Sequence, residues 1–304
     1  MGKIAFVFAG QGAQYAGMGA TLPAASPAAA EVFDALERIR PGTRELCFSG
    51  TEEELSQTKN TQPALYAVEC AAEAALRENG IVPDCCAGFS LGEISALRAA
   101  GCVSLETGFR LVTERGRLMQ AAAEKIDSAM VAVVKLTDGD VERLASDFPH
   151  VYPVNYNCPG QVTVAGLSEE IAAFSLRIKE AGGRAIPLKV SGGFHSPFME
   201  EAALAFAEAL ANETLTPPAL PLYSDVTSHP YDGDIKRLLA RQIASPVRWR
   251  EIVENMAKCG VDTFVELGPG KTLSGFIGKI LPGARTLRVD SGETLAQTIG
   301  GLSC

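Results

Sequence analysis

Pro83-Asp84-Cys85-Cys86-Ala87-Gly88-Phe89-Ser90-Leu91-Gly92-Glu93 is a small-residue apolar run that stops at Gly-x-Ser-x-Gly and restarts with helical periodicity. It reads as a nucleophile elbow: a strand that turns sharply into a helix and carries Ser90 at the bend. Gly88 and Gly92 fit such a turn, because a Cβ on either would collide with the crossing chain. Ser90 would then project its hydroxyl above the sheet, and the helix after it, Ile94 to Ala100, would turn a dipole that favours negative charge toward it. A coincidental Gly-Ser-Gly loop is the competing reading of these five residues.

Outward from the elbow the pattern alternates strand and helix. Lys3 to Ala9 is a continuous apolar run ending in Gly10-Gln11-Gly12, as a buried parallel strand feeding a loop does. Ser26-Pro27 starts a helix to Arg40, Gln62-Pro63 opens another that stops at Gly80, and a long helix runs from about Ser104 to Glu124. From Met130 the order becomes strand (to Leu136), helix (Thr137-capped, to Phe148), hairpin (Val151 to Asn157 and Val162 to Gly166), helix (Ser168 to Ala181) and strand (Arg184 to Val190). That β-α-β-β-α-β order is ferredoxin-like. Pro221 to Val226 and Thr263 to Leu267 then resume the first pattern. The predicted fold is α/β: a hydrolase-like, mainly parallel sheet domain over 1–125 and 192–304, interrupted by a ferredoxin-like subdomain over 126–191.

With 304 residues, 47% hydrophobic and 21% charged, the chain can bury a large core. A net charge of −9 excludes global attraction to nucleic acid or anionic membrane, so an acidic partner has to be met by a local patch. The eight cysteines form no CxxC pair, and none of the His, Cys or acidic spacings suits a metal. The apolar run Ile4 to Ala9 is too short for a signal-peptide core or a membrane span. A cytoplasmic, monomeric protein with reduced thiols is expected. Two glycine-rich segments imitate nucleotide loops and fail on spacing: Tyr15 stands where the dinucleotide fingerprint needs its third glycine, and Val265 where a phosphate loop ending in Gly270-Lys271-Thr272 needs its first.

A serine nucleophile needs a base, and there are only three histidines. His150 lies in a helix-to-strand connection and His229-Pro230 in a polar turn, both read as surface. His195, in Ser191-Gly192-Gly193-Phe194-His195-Ser196-Pro197, sits on a flexible loop at the subdomain junction, where a side chain can be aimed into a cleft. A helix-cap or packing role is the alternative. Arg115 shares a helical face with Leu111 and Leu118, which implies burial, and a buried guanidinium requires an anion.

Together these residues resemble the malonyl-CoA:acyl carrier protein transacylase family of fatty-acid and polyketide synthesis. The likeness runs over nearly the whole chain: Phe8 to Gln14, Thr61 to Leu65, the elbow, Arg110 to Gly116, Val154 to Gln161, Phe194-His195, Ser245 to Trp249, and Glu266 to Lys271. By position it implies Ser90 as nucleophile, His195 as base oriented by the main-chain carbonyl of Gln242, and Gln11 and Leu91 as oxyanion-hole amides. It also implies Arg115 as clamp for the malonyl carboxylate, Gln62 lining the pocket, and Phe194 as a wall excluding methylmalonyl. No cofactor is implied, since the CoA thioester is a substrate. The implied partners are malonyl-CoA and an acidic acyl carrier protein, for which Arg184, Lys189, Arg248, Arg250 and Lys271 are candidate contacts. One departure is Phe89, where most members carry histidine. Two further readings stand beside this one: a serine esterase or patatin-like lipase, for which no histidine after His229 and no good Asp-Gly-Gly match exist, and an inactive acyl- or carrier-binding relative, motivated by Phe89.

Overall fold

The computed structural model describes residues 2–302. Its strands, in chain order, are β1 (Lys3–Phe8), β2 (Cys85–Gly88), β3 (Ser128–Val134), β4 (Val151–Cys158), β5 (Gln161–Leu167), β6 (Arg184–Pro187), β7 (Leu222–Tyr223), β8 (Val261–Leu267) and β9 (Arg285–Val289). They form two sheets. Five strands in the order β7-β2-β1-β8-β9 pair in parallel, and four in the order β4-β5-β3-β6 pair antiparallel.

β1 and β2 are short, apolar and buried on both faces because helices cover the parallel sheet on each side. In register Phe8 sits opposite Gly88, so both strands end together and their loops, Gly10 to Ala13 and Phe89 to Leu91, meet above the same edge. One core lies between this sheet and the helices Thr58–Glu78 and Leu105–Ala123; a second, around Trp249, Phe264 and Ile277, fills the other face. The small sheet has its own core of Val131, Val164, Phe174 and their neighbours.

The structure corrects several sequence boundaries. The helix expected from Gln62-Pro63 begins at Thr58, with Pro63 inside it. The hydrogen bond lost at the proline is outweighed by burial of most of this helix against Leu105–Ala123, which Gly116 lets approach closely: a Cβ there would lie 2.9 Å from the Thr58 carbonyl oxygen. The strand expected over Pro221 to Val226 shrinks to Leu222–Tyr223, because the Ser224 amide bonds the His229 carbonyl across a turn. β6 ends at Pro187 rather than Val190, and β9, an edge strand with a mixed burial pattern, was not anticipated. Among the described residues no helix is long and apolar enough to cross a membrane, and the described cysteines are free thiols.

Candidate active site

The elbow is as tight as the sequence implied. A Cβ on Gly88 would fall 1.9 Å from the Gly92 carbonyl carbon, and one on Gly92 would fall 2.4 Å from the Phe8 carbonyl oxygen. Ser90 has φ +57°, a left-handed conformation that costs a non-glycine residue about 1 kcal/mol. Its amide is held by a carboxylate: Ser90 N–H donates to Asp225 Oδ2 at 2.8 Å. Ser90 N–H is therefore committed, whereas the amides of Gln11 and Leu91 have no protein acceptor among the described residues.

The loop Ser191 to Pro197 carries His195, itself at φ +61°, to Ser90: Nε2 lies 2.7 Å from Oγ. On the far side of the ring, Nδ1 is 3.0 Å from the Gln242 main-chain oxygen. A carbonyl can only accept, so Nδ1 carries the proton and Nε2 presents its lone pair to the serine hydroxyl. Burial first, and the Arg115 cation second, hold the imidazole down at about 4, so it is neutral and able to accept a proton at pH 7. His150 and His229 are exposed, as read from the sequence.

Arg115 is fully buried on the helix Leu105–Ala123, where a 21-residue neighbouring helix shuts out water. Its Nη2 donates to Ser90 Oγ at 3.1 Å and to Gln242 Oε1 at 2.7 Å. Nε and Nη1 have no partner among the described residues. Buried donors without acceptors are rare and costly, which marks a place where an anionic ligand group fits. Gln62 is also buried; its Nε2 meets the Met119 sulfur at 3.4 Å while Oε1 has no partner among the described residues. Gln11 is tied to Thr58 Oγ1 at 3.1 Å. Phe194 is buried in the main core beside His195 and is not among the residues that line the cleft.

That cleft, a cavity of about 220 Å³, opens between the two sheets beside the elbow. Gln11 and Phe89 line it on one side, and Asn155, Asn157 and Gln161 on the other. The Oδ1 atoms of both asparagines are buried and have no partner among the described residues. Phe89 packs edge-on against Trp249, with ring centroids 5.7 Å apart, and lies 6.5 Å from Phe276, so it joins the second core while forming a cleft wall. The phosphate-loop mimic after β8 has its amides occupied: Leu273 and Ser274 N–H donate to Glu266 at 3.0 and 2.8 Å.

Residues 5–281 match the acyl transferase domain family. The chain belongs to that family. It is 39% identical to the malonyl CoA-acyl carrier protein transacylase of Bacillus subtilis, over 98% of this chain and 97% of that one. The solved structure of the malonyl CoA-acyl carrier protein transacylase from Clostridium perfringens superposes with a TM-score of 0.95 at 37% identity, covering 99% and 97% of the two chains. A malonyl-transacylase solved in complex with its holo type II PKS acyl-carrier protein gives 0.94 at 35%, covering 98% and 99%.

Sequence reasoning missed the carboxylates beneath the site. Asp225 and Glu93 are both fully buried, with Glu93 Oε1 accepting from Asp225 N–H (3.1 Å) and the Tyr231 hydroxyl (2.7 Å). Burial, opposed by these hydrogen bonds and by Arg115, pushes Glu93 up to about 7; burial and the neighbouring Glu93 push Asp225 in the same direction. The available signals were an acid directly after the elbow glycine and an aspartate inside a supposed strand, where aspartate is disfavoured.

Proposed function

We propose that this protein transfers the malonyl group from malonyl-CoA to the phosphopantetheine thiol of an acyl carrier protein, by a ping-pong cycle through malonyl-Ser90. The observation that carries the reading is the 2.7 Å contact of Ser90 Oγ with the unprotonated nitrogen of His195, beside a buried Arg115 with two unpartnered nitrogens.

In the first half-reaction Ser90 Oγ attacks the thioester carbon and its proton passes to His195 Nε2. The carbonyl oxygen becomes an oxyanion accepted by the free amides of Gln11 and Leu91, each worth about 3 kcal/mol in the transition state. The C–S bond breaks, and CoA leaves as the thiol with the proton from His195. In the second half the carrier's thiol gives its proton to His195 and attacks the ester, and the proton returns to Ser90 Oγ. The Gln242 carbonyl keeps the imidazole in the required tautomer throughout. The cycle uses no cofactor.

Arg115 holds the malonyl carboxylate through its unpartnered nitrogens, with Gln62 beside it on the adjoining helix. Phe194, adjacent to His195, supports the pocket that limits α-substitution. The amide-rich pantetheine arm suits the cleft, whose unpartnered Asn155 and Asn157 oxygens can accept its N–H groups. For the carrier protein, Lys189, Arg248 and Arg250 are already drawn into ion pairs with Glu52, Glu251, and Asp138 with Glu254. Arg184 and Lys271 have no ion pair among the described residues and are the better candidates. The strand order β4-β5-β3-β6 supports a ferredoxin-like small subdomain over 126–191, and the parallel sheet with its elbow supports a hydrolase-like remainder over 1–125 and 192–304. We further infer a cytoplasmic monomer.

The test is mass spectrometry of the intact protein mixed with malonyl-CoA: a malonyl adduct located at Ser90 that disappears when holo carrier protein is added. Release of the adduct to water rather than to the thiol would instead establish a hydrolase, and absence of any adduct a non-catalytic relative.

A further inference from the structure

The Gln242 side chain lies between two surroundings that admit only one orientation of its amide. On one side Nε2 faces three oxygens: Ser90 O at 2.6 Å, Glu93 Oε2 at 2.6 Å and Asp225 Oδ2 at 3.0 Å. On the other, Oε1 faces Arg115 Nη2 at 2.7 Å, a group that only donates. Reversing the amide would set N–H₂ against guanidinium and oxygen against oxygen. The acceptor character of the first side is itself enforced. Glu93 Oε1 is occupied by the Asp225 amide and the Tyr231 hydroxyl, and Asp225 Oδ2 by the Ser90 amide. The carboxyl oxygen left over, Asp225 Oδ1, has no partner among the described residues, so a proton taken up by Asp225 can sit there without displacing any donor.

We propose that Glu93 is a positioning residue for the acyl clamp: by fixing the direction of the Gln242 amide it keeps Oε1 against Arg115 Nη2, which aims the remaining guanidinium donors at the acyl pocket. This deepens the malonyl-transfer reading and rests on it. The acidic side chain never reaches substrate; it acts two links away, through an amide that cannot turn. The same glutamine presents its main-chain oxygen to His195, so the clamp and the base share one support, but only the side-chain half depends on Glu93.

Glu93→Gln separates the two. The Tyr231 hydroxyl and the Asp225 amide hold the new side-chain oxygen at the Oε1 position, so the new N–H₂ meets Gln242 Nε2, donor against donor. Turning the Gln242 amide relieves that clash only by setting its oxygen against Ser90 O and Asp225 Oδ2 and its N–H₂ against Arg115, so in either orientation the amide no longer holds Arg115 as it does in the wild type. The experiment compares steady-state transfer of malonyl and acetyl groups to a holo acyl carrier protein by wild type and E93Q, with thermal melting to verify folding. Loss of one charge-assisted hydrogen bond predicts a fall in malonyl kcat/KM of about 10- to 100-fold, carried mainly by KM, with acetyl transfer changed less than about threefold. Tyr231→Phe serves as the second variant if E93Q does not fold: it removes one of the two donors that hold Glu93 Oε1 and leaves Gln242, Arg115 and both carboxylates in place, so a smaller loss of the same malonyl-selective kind is expected. Equal fractional losses for both acyl groups, or no loss in either, overturn the positioning role. A wild-type protein that forms no malonyl-Ser90 overturns the underlying reading instead.

Discussion

Replacing Arg115 by alanine tests the clamp most directly. The guanidinium is fully buried, and its Nε and Nη1 have no partner among the described residues, so the site bears an incompletely satisfied cation that, on the proposed reading, a malonyl carboxylate would complete. Breaking a buried charge pair by removing one partner costs about 3 to 5 kcal/mol, which corresponds to roughly two to four orders of magnitude in malonyl kcat/KM. Acetyl-CoA has no carboxylate to offer and leaves the cation unpaired in the wild type, so alanine removes nothing that acetyl uses at the acyl end. The Nη2 bond to Ser90 Oγ is lost for both substrates, at about 1 kcal/mol. Selectivity should therefore collapse: malonyl transfer falls steeply and acetyl transfer changes by less than about tenfold. Single-turnover acylation of Ser90, followed by mass spectrometry with each thioester, reads both numbers without dependence on the carrier. Equal loss for malonyl and acetyl would refute the clamp, because it would mean that Arg115 serves the nucleophile alone.

Four further outcomes follow from the geometry. With His195 held down at about 4 by burial and by Arg115, the acid limb of kcat/KM should lie near pH 4, and removing the Arg115 charge should move it upward; a limb that stays put in R115A removes the electrostatic account. Stability should respond to pH with two opposing contributions. His195, lowered from 6.5 to about 4, loses stability as pH falls through that interval, whereas Glu93, raised from 4.5 to about 7, loses it as pH rises through its own and Asp225, also raised, acts in the same sense; melting of E93Q across pH 4.5 to 7 should shift the slope toward the histidine's, and an unchanged slope would remove Glu93's contribution. Gly92→Ala sets a Cβ 2.4 Å from the Phe8 carbonyl oxygen and should destabilise by about 2 to 3 kcal/mol or more in urea, with loss of acylation; a wild-type midpoint would contradict the tight elbow. Phe89→His should retain turnover while lowering stability by about 1 to 2 kcal/mol, since a polar ring would replace the one packed on Trp249; abolished acylation would give Phe89 a chemical role.

The legibility of this protein varied with the range of the interactions involved. Gly88, Ser90 and Gly92 announced the elbow because part of that turn's steric demand, Gly88 against Gly92, is local to five residues, while the demand on Gly92 comes from Phe8 on the neighbouring strand. His195 emerged by elimination from three histidines, and Arg115 from the apolar face it shares, both consequences of composition and helical period. The antiparallel unit was traced nearly to its ends because its strands alternate with helices, with Thr137 Oγ1 accepting from the Asp140 N–H at the start of Asp138–Ala145. Where long-range packing decided, local signals failed: Pro63 looked like a helix start and sits inside one, and Ser224-Asp225 looked like strand and forms a turn that sends a carboxylate under the nucleophile.

The amino-acid order alone therefore determined the kinds of element, the elbow that carries Ser90 and the functional groups proposed to act with it, because backbone sterics and side-chain functional groups are properties of short segments. Only the tertiary structure decided which oxygen faces which nitrogen. Ser90 and Asp225 are 135 positions apart, and Arg115 and Gln242 are 127 apart; no periodicity spans such separations. Their mutual orientation arises only when the strand ends converge and water is excluded, leaving each buried donor to find the acceptor that the fold supplies.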